Sequence, residues 1–263
     1  MGHSPVTFTV FTKPWKMSLE ELAERVAHLG FDGVELPVRP GFQVEPDDVA
    51  RGLPRAARIL GQSGVAIASV AGPVDEPTIG ACAEAGVPLI RICQRMDDEE
   101  GYLAAEEKVR RRYDRLVPLL DRHGVTLGIQ NHCGLQVPNA LGLRRILDRY
   151  SPRHVAAVWD PAHCALDGER PELAIDILWS HLRLVNLKNA FWRRTTGPEA
   201  DVVAWTHYWT LGRQGLCHWP TVAGLLRQRG YQGPVCLTAE YSDQEAVDRL
   251  VVEDFAFARS LFA

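Results

Sequence analysis

The 263-residue sequence has no apolar run near the about 20 residues that a membrane-spanning helix needs, so no membrane association is expected. Its six cysteines form no Cys-x-x-Cys pair, and their spacing indicates neither a disulfide framework nor a structural zinc site. The first residues show no basic segment followed by a long apolar one, so no signal peptide is predicted. These absences predict a cytoplasmic protein with reduced thiols.

Clustered positive charge is also scarce. The net charge is −4, and the consecutive arginines at 110–112 fall in a segment predicted to be helical. A protein that binds nucleic acid by neutralising phosphates needs a basic surface, so no nucleic-acid partner is expected. With 46% apolar and 24% charged residues, the composition is that of a globular protein with a large core.

One pattern recurs along the chain: a helical segment ends in glycine and a short β-branched run follows. Gly30, Gly64, Gly86 and Gly124 occupy this position, and Gly230 precedes a similar run through a short turn. Glycine suits the left-handed conformation just past a helix end. The runs are almost continuously apolar, which is typical of strands that are buried on both faces of a parallel sheet.

Three further apolar runs complete a set of eight predicted strands, at 6–12, 31–37, 65–71, 87–93, 125–131, 154–160, 182–188 and 234–240. Helices are predicted between them, with capping boxes starting at Ser18 and Ser242. This alternation predicts a single-domain (β/α)8 TIM barrel over residues 1–263. A doubly wound open sheet is the alternative, but no glycine-rich phosphate loop follows the first strand. The longest irregular stretch is predicted at 190–215, and such long loops are usually functional.

Nearly every predicted strand ends in a polar or ionisable residue. In a TIM barrel the chemistry is built where strands end, so these side chains predict a pocket at the carboxyl-terminal face. The strand-end residues are Lys13, Glu35, Arg91, Gln130, Asp160, Asn186, Lys188 and Glu240.

Four of these residues form a candidate metal site, because Gln130, Asp160, Asn186 and Glu240 follow consecutive strands. Oxygen ligands favour Mg²⁺ or Mn²⁺ over Zn²⁺, which prefers nitrogen and sulfur. A hydrogen-bonded polar ring without metal is the alternative. His132 lies two residues after Gln130, on the same side of the strand, and could supply a nitrogen ligand.

Five segments carry a resemblance to a known family: FDGVELP, GIQNH, WDPAH, VNLKNA and the tail from Leu211 to Tyr241. Over its whole length the chain resembles the xylose isomerase-like TIM barrels of the sugar isomerase/epimerase superfamily. In that family the metal ligands are typically Glu, Asp, His and Glu from strands five to eight. Asp160 and Glu240 match, whereas Gln130 replaces glutamate and Asn186 replaces histidine; Asn189 also replaces a frequent aspartate.

The resemblance also implies functional roles. Glu240 is expected to be the catalytic base, with His163 and Lys188 assisting. The expected cofactor is a divalent metal, Mn²⁺ or Mg²⁺ first and Zn²⁺ or Co²⁺ second. The expected substrate is a small sugar or keto-polyol, and family members form homodimers or homotetramers. Aromatic faces suit sugar C–H faces, and the predicted substrate-binding residues are Trp15, Glu35, His132, Trp192, Arg193 and His207.

Three functional hypotheses remain. The first is a sugar isomerase or epimerase-like enzyme that transfers a proton next to a carbonyl. Because the Gln130 carboxamide cannot take up a proton, a one-base isomerisation or dehydration is favoured over two-base epimerisation. The second is a metal-free or weakly metal-binding sugar-binding or regulatory barrel. The third, a DNA-repair endonuclease, lacks the histidine-rich zinc site and the basic groove that it would require.

Overall fold

A computed structural model of the chain describes residues 6–97 and 99–263. Part of the N-terminal segment used to predict the absence of a signal peptide lies outside these residues. The described residues form a closed barrel of eight parallel strands in the order β1-β10-β7-β6-β5-β4-β3-β2. These strands are β1 Thr7–Phe11, β2 Gly33–Pro37, β3 Ala66–Ala71, β4 Leu89–Cys93, β5 Thr126–Gln130, β6 Val155–Trp159, β7 Leu182–Leu187 and β10 Pro234–Leu237. The predicted (β/α)8 barrel is confirmed, with every strand where the sequence placed it.

Helices surround the barrel and alternate with its strands. The helix predicted after β4, which contains the arginines at 110–112, is present as α4. Two helices, α6 and α7, separate β6 from β7. The α-helices are α1 Leu19–Leu29, α2 Val49–Gln62, α3 Glu76–Ala85, α4 Tyr102–His123, α5 Ala140–Leu147, α6 Pro161–Leu166, α7 Pro171–Leu178, α8 Trp219–Gln228 and α9 Val247–Phe262. None of these described helices has the combination of length and apolar character needed to cross a membrane.

The two predicted capping boxes have different outcomes. Ser18 caps α1, and Glu21 completes the reciprocal bond, as predicted. The second capping box was wrong, because α9 begins only at Val247. The Ser242 hydroxyl instead accepts a hydrogen bond from the backbone N–H of Trp209 (2.9 Å), so it joins the last strand-to-helix loop to a neighbouring segment.

The core has two parts, because successive side chains of each strand point alternately toward the helices and toward the barrel interior. A large cluster, including Val155 and Trp159, lies between the barrel and the helices. A smaller apolar cluster, including Val158 and Leu184, fills the barrel interior. Residues two positions further along each strand point to the same interior side. The polar strand-end residues therefore form a layer above this apolar floor.

The segment after β7 differs from the prediction of an irregular loop, which was wrong. Asn189–Arg194 (β8) and Trp205–Thr210 (β9) form a two-stranded antiparallel sheet. Both segments are rich in aromatic and β-branched residues, which favour strands. In the observed register, Trp192 lies opposite His207 and Arg193 lies opposite Thr206.

Candidate active site

An ion-pair cluster lies at the carboxyl-terminal end of the barrel. The Lys188 Nζ atom is 2.9 Å from Glu240 Oε2 and 3.6 Å from Asp160 Oδ2. The Asp160 and Lys188 side chains are 0% and 4% exposed, whereas that of Glu240 is 31% exposed. Lys13 approaches the outer oxygen of Glu240 at 3.5 Å. Two carboxylates and two ammonium groups thus alternate from the barrel floor to its opening.

These charges fix one another's protonation states. The Lys188 charge lowers the pKa of Glu240 to about 2, against the opposing effect of burial. Burial disfavours the charged form of Lys188, but Asp160 and Glu240 outweigh it and raise the pKa of this lysine. Burial raises the pKa of Asp160, and the neighbouring Lys188 limits that rise. Lys188 therefore stays protonated at neutral pH and is not a Schiff-base nucleophile.

The two carboxylate oxygens of Asp160 have different roles, and hydrogen bonds fix the backbone of this residue. Its Oδ1 atom accepts a hydrogen bond from the His163 backbone N–H (3.2 Å), so it caps α6. Asn131 binds both backbone groups of Asp160, donating from Nδ2 to its carbonyl and accepting from its N–H. The other carboxylate oxygen, Oδ2, faces the cluster. The helix-cap and active-site interpretations of this aspartate are therefore compatible.

The residue immediately before Glu240 has an unusual backbone conformation. This residue, Ala239, has φ +49° and is the one non-glycine residue with a positive φ in the described part of the chain. This left-handed conformation costs about 1 kcal/mol or more for a residue with a side chain. Strained backbone is concentrated at functional sites, where it fixes a side chain.

A chain of polar contacts crosses the barrel from this cluster to β2. Gln130 donates from Nε2 to Asp160 Oδ2 (2.8 Å) and accepts at Oε1 from the Cys93 thiol (3.4 Å). Arg91 contacts Cys93 and forms a two-pronged ion pair with Glu35, whose carboxylate also accepts from the Ser69 hydroxyl. Glu35 is 1% exposed and both of its oxygens are engaged by Arg91 and Ser69, so its role as a substrate-binding residue stays a prediction.

Two histidines cover the other side of Asp160. The Cys133 backbone N–H donates to Nδ1 of His163 (3.2 Å), so the proton of this ring lies on Nε2, which is 3.8 Å from Asp160 Oδ2. Burial lowers the pKa of His163, which is therefore neutral. The ring of His132 lies against it, with centroids 3.9 Å apart. His132 uses Nδ1 on the Cys133 carbonyl, which leaves Nε2 free to accept a proton or a hydrogen bond.

One face of the β8–β9 hairpin closes over the cluster. The ring of Trp209 lies 4.2 Å from Lys188 Nζ, and it also contacts His163 edge-on. His207 lies between Trp209 and Trp192, with ring centroids 5.6 and 4.3 Å away. Two of the predicted substrate-binding residues, His207 and Trp192, therefore lie on the same face of the hairpin as Trp209, which contacts the cluster.

Asn189 fixes the base of this hairpin. Its Nδ2 donates to the carbonyls of Gly212 (2.6 Å) and Cys217 (2.8 Å), while Oδ1 accepts from the N–H groups of Ala190 and Cys217 (both 3.0 Å). An aspartate could not make the two donor contacts. The departure from the usual aspartate at this position therefore has a structural cause. Gly215 packs so closely against this amide that a Cβ atom there would lie 2.1 Å from Asn189 Oδ1.

Two predicted substrate-binding residues are not brought to the cluster. Trp15 is buried against α1 and α9, where its ring meets Arg25 and its Nε1 donates to Asp248 (2.9 Å). Arg193 is exposed on the opposite face of the hairpin, beside the ring of Tyr208. Neither position offers a contact with Asp160 or Glu240.

The predicted metal ligands can be tested against their surroundings. The Lys188 ammonium lies between the two carboxylates that a cation would need, and Gln130 turns a donor toward Asp160. Of the four predicted metal ligands, Asn186 alone has a side chain without hydrogen bonds: neither of its buried amide atoms has a partner among the described residues. As arranged here, these residues do not fit a divalent cation.

A possible set of nitrogen and sulfur ligands lies nearby: ligand atoms of His132, Cys133 and His163 are within 4.8 Å of one another. The Nδ1 atom of His163 is occupied by a backbone N–H, and its Nε2 carries the proton. Burial raises the pKa of Cys133 to about 11, so its thiol stays protonated. This group therefore offers too few free ligand atoms for a zinc site.

The fold and the site define an α/β barrel with a polar, partly open carboxyl-terminal end. The family model described as xylose isomerase-like TIM barrel matches residues 23–261. The chain belongs to this family. A search of curated proteins finds no match.

Solved structures with the same fold include sugar epimerases. D-psicose 3-epimerase with D-tagatose from Clostridium cellulolyticum H10 is 14% identical, with 98% of this chain and 99% of that chain covered and a TM-score of 0.74. L-ribulose 3-epimerase is 12% identical, with 98% and 94% covered and a TM-score of 0.75. The probable 3-DHS dehydratase AsbF from Bacillus anthracis is 11% identical, with 97% and 99% covered and a TM-score of 0.71. At these identities the likeness establishes the fold alone.

Sequence reasoning missed several functional neighbours. Lys13 and Arg91 were noted at strand ends but received no role, and Arg39 was not noted. The position of Lys13 and Arg91 at strand ends is the signal that could have found them. Their partners could not be inferred, because Glu35 and Arg91 meet only when the barrel closes.

Proposed function

We propose that this protein is a sugar isomerase or epimerase-like enzyme that moves a proton next to a carbonyl group. In this proposal the Lys188 ammonium, rather than a divalent cation, stabilises the negative charge that develops on the substrate oxygen. The observation that carries the proposal is the position of Lys188 Nζ, 2.9 Å from Glu240 and 3.6 Å from Asp160 at the barrel opening. A fixed, partly desolvated cation is an effective stabiliser of a developing oxyanion.

Glu240 is the base in this reaction. A proton passes from the carbon beside the carbonyl to a Glu240 oxygen, and the C–H electrons form the enolate whose oxygen Lys188 binds. For a 1,2-isomerisation, the hydroxyl proton on the deprotonated carbon moves to the enolate oxygen, and Glu240 returns its proton to the former carbonyl carbon. For a dehydration, the enolate reforms the carbonyl and expels the β-hydroxyl, which takes the proton from Glu240 and leaves as water. Both use one base, which agrees with an amide at Gln130.

Other residues orient the substrate. His132 offers a free Nε2 acceptor, and Trp209 with His207 offers aromatic surface over the cluster. The His163 Nε2–H and the Asn186 amide are buried donors or acceptors without partners among the described residues. Such groups cost about 1–3 kcal/mol each when unsatisfied, so hydroxyl groups of a sugar or keto-polyol are suitable partners.

The second candidate function is sugar binding without catalysis. The observation that favours it is the strong pairing of Glu240, because a carboxylate whose pKa is about 2 is a weak base. On substrate binding, however, transfer of Lys188 to the carbonyl oxygen would weaken this pairing and make Glu240 more basic.

Hydrogen–deuterium exchange at carbon distinguishes these functions. Pentuloses, hexuloses and keto-polyols, each tested in neutral form and with a carboxylate or phosphate group, are incubated with the protein in D₂O after treatment with EDTA, and NMR follows loss of the C–H signal beside the carbonyl. We expect exchange on at least one compound, and its loss in Glu240→Gln and Lys188→Met. Glu107→Gln, on the exposed face of α4, is the matched control and retains activity.

Each other outcome is decisive. Activity that EDTA abolishes and Mn²⁺ restores would contradict the role of Lys188. Exchange that persists in Glu240→Gln would contradict the role of Glu240. Saturable binding of a sugar without any exchange would support the binding function.

A further inference from the structure

Two arginines lie against one aromatic ring at the edge of the site. The guanidinium carbon of Arg91 is 4.8 Å from the ring centroid of Phe11, and that of Arg39 is 5.6 Å away. Arg91 is neutralised by its two-pronged ion pair with Glu35. The two guanidinium groups thus share one environment but only one has a carboxylate.

Arg39 has no such partner. Within residues 6–97 and 99–263, its guanidinium makes no hydrogen bond and no ion pair within 4.0 Å. Burial and the positive charge of Arg91 lower the pKa of Arg39, so its surroundings disfavour its charge. A half-buried arginine without a counter-ion is costly, because buried charges are normally paired.

The backbone of Arg39 is held in place by its neighbours. Arg39 follows β2, and its N–H donates to the Val44 carbonyl (3.1 Å), while Val38 and Val44 form an isolated β-bridge. The arginine is therefore presented by a closed loop rather than by an unconstrained segment. A residue whose backbone is already fixed loses less conformational entropy when its side chain binds a ligand.

Arg39 lines a groove at the ends of β2, β3 and β4, together with Gly72, Arg91 and Cys93. Cys93 connects this groove to the ion-pair cluster, since its thiol donates to Gln130. The charge of Glu240 also acts on Arg39. Asp75 is the acidic residue of the groove, but its carboxylate caps α3 by accepting from the Thr78 N–H (2.9 Å).

The ion pairs around the opening leave one guanidinium without a contacting carboxylate. Lys13, Lys188 and Arg91 contact Glu240, Asp160 and Glu35 respectively. Asp75 also carries a negative charge in the groove, but it forms no ion pair with Arg39 within 4.0 Å. A substrate that carries a negative group would give Arg39 a direct partner, whereas a neutral sugar would not.

We propose that Arg39 binds an anionic group of the substrate, so that the site takes an acidic sugar or keto-polyol rather than a neutral one. The inference rests on the proposed function only for the location of the substrate. A guanidinium can bind carboxylate and phosphate oxygens with two parallel hydrogen bonds, so both groups fit the chemistry.

Ligand binding to the full-length protein tests this inference. The probes are D-gluconate for carboxylate, D-glucose 6-phosphate for phosphate and D-glucitol as the uncharged compound, at matched ionic strength. We expect at least one anion to raise the Tm, and titration calorimetry to show about tenfold weaker binding in Arg39→Gln, as expected for a lost charged hydrogen bond. Arg39→Lys should be intermediate, because lysine cannot bind in the two-pronged manner.

The control is Arg51→Gln, an exposed arginine of α2, which should bind the anion as the wild type does. The inference is overturned if neither anion raises the Tm of the wild type, if D-glucitol binds equally well, or if Arg39→Gln is unaffected. Glu240→Gln separates it from the proposed function, since this variant should lose proton exchange and keep anion binding. Exchange on neutral sugars alone would refute the anion site and leave the proposed function standing.

Discussion

The ammonium of Lys188 lies 2.9 Å from a carboxylate oxygen of Glu240, and this contact determines the chemistry of the barrel opening. It neutralises Glu240, the proposed base, and lowers the pKa of this carboxylate to about 2. It also places a positive group beside Asp160, which is wholly buried. The same ammonium therefore stabilises the fold and is the proposed stabiliser of the reaction's negative charge.

Lys188→Met should destabilise the protein in a pH-dependent way. The variant leaves the buried Asp160 without its cation, which costs about 3–5 kcal/mol for a broken buried pair. The pKa of Asp160 then rises further above its unfolded value. A carboxyl group with a raised folded pKa is destabilising above that pKa, and the loss shrinks as the pH falls toward the unfolded value.

Urea unfolding at pH 8 and at pH 5 measures this effect. We expect the larger loss of unfolding free energy at pH 8. Lys16→Met, which removes an exposed lysine from the loop before α1, should change stability by less than about 0.5 kcal/mol. Equal losses at both pH values would mean that Asp160 does not depend on Lys188.

Gln130→Glu should create a divalent-cation site, which the arrangement of the wild-type side chains does not provide. The substitution replaces an N–H donor at 2.8 Å from Asp160 by a second carboxylate, and the two acids would share one buried region. The added negative charge attracts a divalent cation. Thermal unfolding with and without Mn²⁺ should show a rise in Tm only in the variant.

The exposed Gln62→Glu is the control for added charge and should show no response to Mn²⁺. Stabilisation of the wild type by Mn²⁺ would contradict the conclusion that Lys188 excludes the cation. It would also return Gln130 and Asn186 to the role of ligands.

The fold was predictable because each strand carries its own signal. Continuous apolar runs preceded by glycine marked β3 to β5, and the two-residue period then placed Gln130, Asp160 and Lys188 on one side of the barrel. Partners across the barrel were not predictable, because Glu35 and Arg91 are 56 residues apart and meet only through side-chain conformation. The hairpin was missed because its aromatic residues were interpreted as ligand-binding surface rather than as strand pattern.

Asn189→Asp tests the structural reason for an unusual amide. The variant loses both Nδ2 donors and brings a carboxylate toward the carbonyls of Gly212 and Cys217. We expect a loss of about 2–4 kcal/mol, since each buried carbonyl left unsatisfied costs about 1–3 kcal/mol. Urea unfolding measures the loss.

The matched control is Asn139→Asp. Asn139 caps α5 by accepting from the Gly142 N–H, and aspartate performs this function equally well. Its stability should change by less than about 0.5 kcal/mol. A similar small effect of Asn189→Asp would show that the hairpin base does not require the amide.

Asp254 should give the protein a measurable pH dependence of stability. This buried carboxylate on α9 accepts from the Gly212 N–H (2.7 Å) and the Tyr241 hydroxyl (2.8 Å), and burial raises its pKa to about 6. Because the unfolded pKa is about 3.9, ionisation of Asp254 opposes folding. The cost is absent well below pH 4, develops as the pH rises, and is complete above about pH 6.

Asp254→Asn removes this titration while its carbonyl oxygen can still accept from Gly212. Between pH 4 and pH 7 the variant should gain about 2 kcal/mol of unfolding free energy relative to the wild type. Urea unfolding across this range measures the difference, with the exposed Asp47→Asn as control. A parallel pH profile for the Asp254→Asn variant and the wild type would mean that Asp254 is ionised at little cost, because its two hydrogen bonds compensate for its burial.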